Sequence, residues 1–397
     1  MACTGPGTRP HRRALCALAT LPVLLAACTA PADAPAPAPI EQPTMAATAY
    51  PQAPAPAPAA CGEGAALLAD MSNRDKLAQL LMVGVSDAAD ARAVVEAHHV
   101  GGVMIGSWTD LSMVSDGTLA QIAGSATPLP LAVSVDEEGG RVSRLAALIG
   151  TQPAPRVLAQ TRTPEQVYQI ALQRGQAMRG LGITIDFAPV VDVTDAPDDT
   201  VIGDRSFGAD PTTVTDYAGA YARGLRAAGV LPVLKHFPGH GSGSGDTHTG
   251  SVTTPDLAAL KDADLVPYRT LTAQHPVGVM VGHMQVPGLT GSEPASLSAP
   301  AYALLRSGGY GGPGFGGPVF TDDLSSMRAI SDRLGVAEAA LRALQAGADV
   351  ALWVTTAEVP AVLDRLEKAV DAGELSLSAV DASVLRIAAV KGRSPAC

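Results

Sequence analysis

From about residue 64 to residue 390 the chain alternates between two rhythms of apolar and polar positions. Short, β-rich apolar runs occupy residues 80–85, 101–105, 129–135, 183–193, 230–234, 277–281, 318–320 and 350–354. Near-continuous apolarity over so few residues marks strands buried on both faces, the signature of a parallel sheet. Helical spacing fills the intervals. One helix announces its start with Thr163-Pro164-Glu165-Gln166, a capping box with Pro at the first helical position, and continues with Val167, Ile170, Ala171 and Met178 on one side. Eight strand-helix units predict an α/β fold, a single closed (β/α)8 TIM-type barrel, rather than an open doubly wound sheet. No glycine fingerprint for a dinucleotide follows the first run.

The N-terminal sixty residues follow neither rhythm. Arg9, His11, Arg12 and Arg13 precede an apolar stretch, 14–27, that is too short to span a bilayer and ends in Leu25-Ala26-Ala27-Cys28. This resembles the lipobox of bacterial lipoproteins, so residues 1–27 are expected to be a signal peptide and Cys28 the lipidated first residue. Residues 28–61 are Ala/Pro-rich with little to bury, an extended linker reaching up to about 100 Å at about 3.1 Å per residue. The domain itself is expected over 62–397. Cys61 and Cys397 are the two cysteines left to it, and in an oxidising compartment they suggest a disulfide joining its ends. The expected location is outside the cytoplasm, anchored by lipid to the membrane and facing the cell wall.

Composition narrows the partners. With 397 residues, 47% hydrophobic and 16% charged, the chain can bury a large core. A net charge of −11 and no basic tract beyond the leader argue against nucleic acid and against an anionic membrane patch, leaving the lipid as the only membrane contact.

Barrel chemistry collects at the C-terminal ends of strands. The third run ends in Asp136-Glu137-Glu138-Gly139-Gly140-Arg141-Val142-Ser143-Arg144, and the fourth in Asp192, followed by Ile202-Gly203-Asp204-Arg205-Ser206-Phe207. The fifth yields Lys235, His236 and the glycine-rich loop to Asp246-Thr247-His248; the sixth yields His283 and the seventh Thr321-Asp322-Asp323-Leu324-Ser325. Asp246 and His248 point the same way in an extended segment, so the carboxylate can hold the imidazole as one acid/base unit. Structural readings stand beside these. Glu138 and Arg141 suit an internal ion pair, His240 a tie from loop to backbone, and Trp353 either a pocket floor or core packing. Asp322 could be a helix cap, with Asp323 reactive in its place. His236, His240, Asp246 and His248 could together bind zinc in a sugar deacetylase.

The runs DEEGGRVSR, IGDRSFG, KHFPGHG separated by four residues from DTH, and TDDLSS occur in that order. They resemble the bacterial β-N-acetylglucosaminidase branch of glycoside hydrolase family three, from Leu67 to about Val390. The resemblance implies Asp322 as catalytic nucleophile and His248, backed by Asp246, as acid/base. It implies Asp136, Arg144, Arg205, Lys235 and His236 as sugar-binding residues, with Asp192 and His283 as further candidates. It implies retaining, exo-type cleavage of an N-acetylglucosamine-containing glycan or muropeptide; no cofactor or metal is expected, and the protein is expected to be a monomer. With 4% aromatic residues, a pocket for one terminal sugar fits better than a long stacking cleft. Alternatives are a β-glucosidase-like exo-glycosidase, an N-acetylglucosaminide phosphorylase, and a non-catalytic wall-binding lipoprotein. The chain departs from the family pattern in a glycine-rich stretch at 307–317 and in Ser242-Gly243-Ser244-Gly245. The latter predicts a mobile catalytic loop that leaves His248 away from Asp322 without ligand.

Overall fold

The structure, a computed structural model, describes residues 62–392. The leader, the linker, Cys28, Cys61 and Cys397 lie outside the described residues. Eight strands form one parallel sheet: β1 (Leu81–Gly84), β2 (Gly102–Ile105), β3 (Ala132–Val135), β6 (Ile185–Asp186), β7 (Leu231–Phe237), β8 (Gly278–Val281), β9 (Val319–Thr321) and β10 (Ala351–Trp353). A small antiparallel hairpin, β4 (Glu137–Gly139) and β5 (Val142–Ser143), branches from the end of β3. In the sheet β10 pairs with β1, and the ring closes through a parallel bridge between Phe320 and Val350. Asp349 stitches that seam. One carboxylate oxygen accepts from Val319 N at 2.8 Å and Arg306 at 2.6 Å, the other from Ser383 at 2.7 Å and Arg386 at 2.8 Å. The result is the α/β barrel expected from the alternation of runs.

The interior is packed. Phe187, just after β6, and Phe320, on β9, meet edge to face at 5.6 Å, although their strands are not neighbours. Contact between non-adjacent strands must cross the barrel, so the inside is a core and not a channel. The capping box is present as read: Thr163 accepts from Gln166 N, and Gln166 accepts from Thr163 N, at the start of helix Pro164–Gly180. Val167, Ala171 and Met178 are fully buried on its inner side.

Two runs differ from the strands they predict. Residues 183–193 are buried apart from the half-buried Thr184 but ladder only at Ile185–Asp186, because Pro189 has no N–H to donate to a neighbour. Val190 rejoins by a single bridge to Lys235. Conversely, β7 continues past the apolar residues 230–234 through Lys235 and His236 to Phe237. Val191 N donates to Lys235 O at 2.7 Å and Gly282 N to Phe237 O at 3.0 Å, so strand structure carries two polar side chains to the barrel mouth. The glycine-rich stretch before β9 folds at the opposite, N-terminal end of that strand. There Tyr310 is fully buried, its hydroxyl bonded to Pro313 O and Thr272, and Arg306 bonds the carbonyls of Phe315 and Gly317.

Candidate active site

The β4–β5 hairpin sorts three consecutive acids into three roles. Gly139 and Gly140 turn it with φ of 94° and 56°, and a Cβ on Gly139 would come within 2.7 Å of the Pro153 carbonyl. Both positions therefore require glycine. Glu137 points inward, fully buried, and accepts from Leu145 N at 2.7 Å and from Ser143 and Arg174. The next side chain alternates to the other side. Glu138, also buried, receives Arg205 through two bonds of 2.8 and 2.9 Å and Lys235 at 2.6 Å. Asp136 holds the same Lys235 ammonium at 2.6 Å and keeps some exposure to the mouth. Burial alone would raise the Glu138 carboxyl, but Arg205 and Lys235 hold it far below the usual carboxylate range. Burial likewise works against the Lys235 ammonium, and Asp136 and Glu138 outweigh it and raise its pKa. The expected Glu138–Arg141 pair does not form. With two left-handed glycines between them, Arg141 turns outward to Asp204 at 3.0 Å and to the carbonyls of residues 200–202.

Asp192 is buried and fully committed. It accepts His236 Nδ1–H at 2.7 Å, His236 N at 3.3 Å and His240 N at 2.8 Å, so it orients His236 and the root of the loop. His236 Nε2 is left facing Arg205 at 3.4 Å. His240 is tied down through its backbone; its buried ring has no hydrogen-bond partner, contrary to the expectation of a side-chain tie. His283 is buried with both nitrogens used: Nε2–H donates to Asp323 O at 2.8 Å, and Nδ1 accepts from Ser296 at 2.7 Å. Burial lowers its pKa, consistent with this neutral tautomer, and it braces the β9 turn.

That turn separates the two adjacent aspartates. Asp323 accepts from Ser325 N at 2.8 Å, Ser326 N at 3.0 Å and both serine hydroxyls, so its carboxylate is consumed in closing the turn. Asp322 accepts only Asp323 N, at 2.9 Å on Oδ1, which leaves Oδ2 free. Burial would raise its carboxyl, but the imidazoles of His236 and His283, the Asp323 N–H and Lys235 bring it down to about 2. Asp322 thus presents an ionised, uncommitted carboxylate oxygen at the mouth.

Asp246 and His248 form the expected unit, Oδ1 accepting from both His248 Nδ1 at 2.7 Å and His248 N at 2.9 Å. The loop is pinned beside them: Thr247 is buried, and its carbonyl accepts from Ala329 N at 3.1 Å, on the segment following β9. The His248 ring itself is 59% exposed. Arg144 is half-buried and has no ion-pair partner among the described residues. Trp353 is wholly buried, a packing residue. The four zinc candidates do not assemble; no group of three or more His, Cys, Asp or Glu suited to a metal ion occurs among the described residues. Asp264 was not legible in the sequence. It lies beneath the loop, accepting from Val193 N and Gly241 N at 3.1 Å each, and burial together with the Asp192 charge raises it to about 7.

A free ionised carboxylate, an imidazole–carboxylate dyad on an adjacent loop and a ring of paired charges at the C-terminal mouth of a barrel supply the groups that nucleophilic and acid/base catalysis requires. The chain belongs to glycosyl hydrolase family 3: the model of the family's N-terminal domain matches residues 72–390. It is 72% identical over 339 residues to the beta-hexosaminidase LpqI of Mycobacterium tuberculosis, covering 85% of this chain and 87% of that protein. Among solved structures, a family 3 glycosyl hydrolase of Mycobacterium smegmatis superposes with a TM-score of 0.81 at 76% identity, over 81% of this chain and 98% of that one. A family 3 β-N-acetylglucosaminidase of a Paenibacillus species gives 0.76 at 35% identity, over 81% of this chain and 62% of that one. The enzyme is thus a glycoside hydrolase of β-hexosaminidase type.

Proposed function

We propose that the protein is a retaining exo-β-N-acetylglucosaminidase that removes terminal N-acetylglucosamine from cell-wall-derived glycans or muropeptides. The observation that carries this reading is the contrast at β9: Asp323 is spent on its turn, whereas Asp322 offers a free, ionised Oδ2. In the first step that oxygen attacks the anomeric carbon as the glycosidic C–O bond breaks, and the leaving oxygen takes the proton of His248. In the second, His248 removes a proton from water, whose oxygen displaces Asp322 and restores the original configuration. Asp246 holds the imidazole's other nitrogen throughout. Lys235 and Asp136, with Arg205 and Arg144, supply charged hydrogen-bonding groups for the hydroxyls of the bound sugar. The leader, Cys28 and the Ala/Pro-rich linker support a lipid-anchored enzyme reaching into the wall. The test is hydrolysis of a chromogenic N-acetyl-β-glucosaminide by wild type and Asp322→Ala. Loss of at least about 10³-fold in the variant is expected, and equal rates would remove the reading. Adding inorganic phosphate to the wild-type assay should leave free sugar as the product; a sugar phosphate would instead make the enzyme a phosphorylase.

A further inference from the structure

Trp108 is one of only two large apolar side chains that stand exposed among the described residues, and it is 45% exposed. It follows β2, on the same face as the active site. Its six-membered ring lies over the ends of two strands that present glycine there. A Cβ on Gly106 would fall 2.3–2.5 Å from Cη2, Cζ2 and Cζ3 of the indole, and one on Gly84, at the end of β1, 2.7 Å from Cζ2. Neither position can carry a side chain while the ring stays where it is. The turn bearing it is fastened on both sides: Thr109 Oγ1 accepts from Gly106 N at 3.0 Å and donates to Val85 O at 2.7 Å, and Asp110 N donates to Ser86 O at 2.7 Å. The indole is therefore a fixed plate with one side bedded on backbone and part of its surface open to solvent.

Its place around the mouth says what that surface faces. The charged groups that would grip a terminal sugar stand at the ends of β3 and β7 and in the loop after β6, and the nucleophile follows β9. The remaining arc, β10, β1 and β2, holds Val354, Gly84, Gly106 and Trp108. The order is continuous, for Val354 N donates to Ser325 in the Asp322 turn at 3.2 Å, and the Val354 carbonyl lies 2.5 Å from a Gly84 Cβ. Two strand spacings, about 10 Å, separate the end of β9 from the end of β1. A sugar held by the β3–β7 side with its anomeric carbon at Asp322 leaves this arc unoccupied and open to the group attached at that carbon.

We infer that Trp108 is the binding platform for the saccharide ring on the leaving-group side of the scissile bond. The axial C–H bonds of a pyranose carry partial positive charge and suit the electron-rich face of an indole, while the ring's hydroxyls stay in water at the rim. The ligand class is accordingly a glycan whose penultimate residue is a pyranose. The inference rests on the glycosidase reading given above.

The experiment compares wild type, Trp108→Ala and Trp108→Phe on two substrates with the same terminal sugar. One is N,N′-diacetylchitobiose, with a sugar as leaving group; the other is the N-acetyl-β-glucosaminyl fluoride, whose leaving group has no ring. For Trp108→Ala, kcat/KM on the disaccharide should fall by about tenfold, mainly through KM, with kcat/KM on the fluoride within about twofold of wild type, and Trp108→Phe should recover most of the loss. Equal losses on both substrates would make Trp108 a structural residue, and no loss on either would leave it without a role in binding; both outcomes overturn the inference. If wild type cleaves neither substrate, the glycosidase reading itself fails, a result distinct from either.

Discussion

Replacing Glu138 by Gln would remove the negative centre that joins the two strongest cations of the mouth. Its carboxylate is buried and meets Arg205 at 2.8 and 2.9 Å and Lys235 at 2.6 Å. At such distances and an effective dielectric near 20, each ion contact represents on the order of 6 kcal/mol of gross attraction. Dehydration of the ions offsets much of that, so the relevant quantity is the cost of leaving a buried cation without its partner, about 3–5 kcal/mol. Lys235 keeps Asp136 at 2.6 Å, so the loss falls mainly on Arg205, which retains only the Val201 carbonyl and its approach to His236. The expected destabilisation of Glu138→Gln is thus about 3 kcal/mol, a fall in Tm of roughly 4 °C for a domain of this size. Urea unfolding measures it directly. A double-mutant cycle with Arg205→Met assigns it, because the double variant no longer carries the unpaired guanidinium and should be less destabilised than the sum of the single variants. A Glu138→Gln loss under about 1 kcal/mol, with an additive cycle, would refute the argument that this carboxylate anchors the site.

Two further outcomes follow from buried carboxylates near the loop. Asp264 is raised to about 7 in the folded state against about 3.9 unfolded, so its contribution is fully present below pH 4 and lost as pH rises toward 7. Asp264→Asn copies the protonated form, and its stability relative to wild type should improve between pH 5 and pH 8 by about 2–3 kcal/mol; urea midpoints at the two pH values check this, and a constant difference would contradict it. Asp192→Asn replaces an acceptor of His236 Nδ1–H with an amide that can present a donor there, and kcat/KM should drop about 10- to 100-fold while the fold is retained; a loss under threefold with an unchanged circular dichroism spectrum would show that His236 needs no such orientation.

The barrel was legible because strands covered on both faces are apolar nearly throughout, and eight such runs coincide with eight strands. Where apolarity and ladder part company, the reason is local. Residues 183–193 are buried apart from Thr184, yet Pro189 cannot donate, whereas Lys235 and His236 are polar and still lie in β7 because neighbouring strands satisfy their backbone. The candidate site residues were legible as polar side chains at strand ends, but how their hydrogen-bonding capacity is spent was not. Asp192 and His283 occupy the mouth as expected, and only three-dimensional partners show that one is committed to His236 and the loop and the other to Ser296 and Asp323. The Glu138–Arg141 expectation relied on proximity along the chain, which two positive-φ glycines reverse. Asp264 sits in a segment with no distinguishing pattern, and its raised pKa arises from burial beside Asp192, which no spacing encodes.

The central claim is that Asp322 Oδ2 forms a covalent bond to the anomeric carbon. Incubation with a 5-fluoro analogue of N-acetyl-β-glucosaminyl fluoride, which slows breakdown of the intermediate relative to its formation, followed by mass spectrometry of the peptides, tests it directly. One added glycosyl group on Asp322 is the expected result, with none in Asp322→Asn. An adduct on Asp323, or turnover of the analogue with no adduct on the chain, would contradict the assignment.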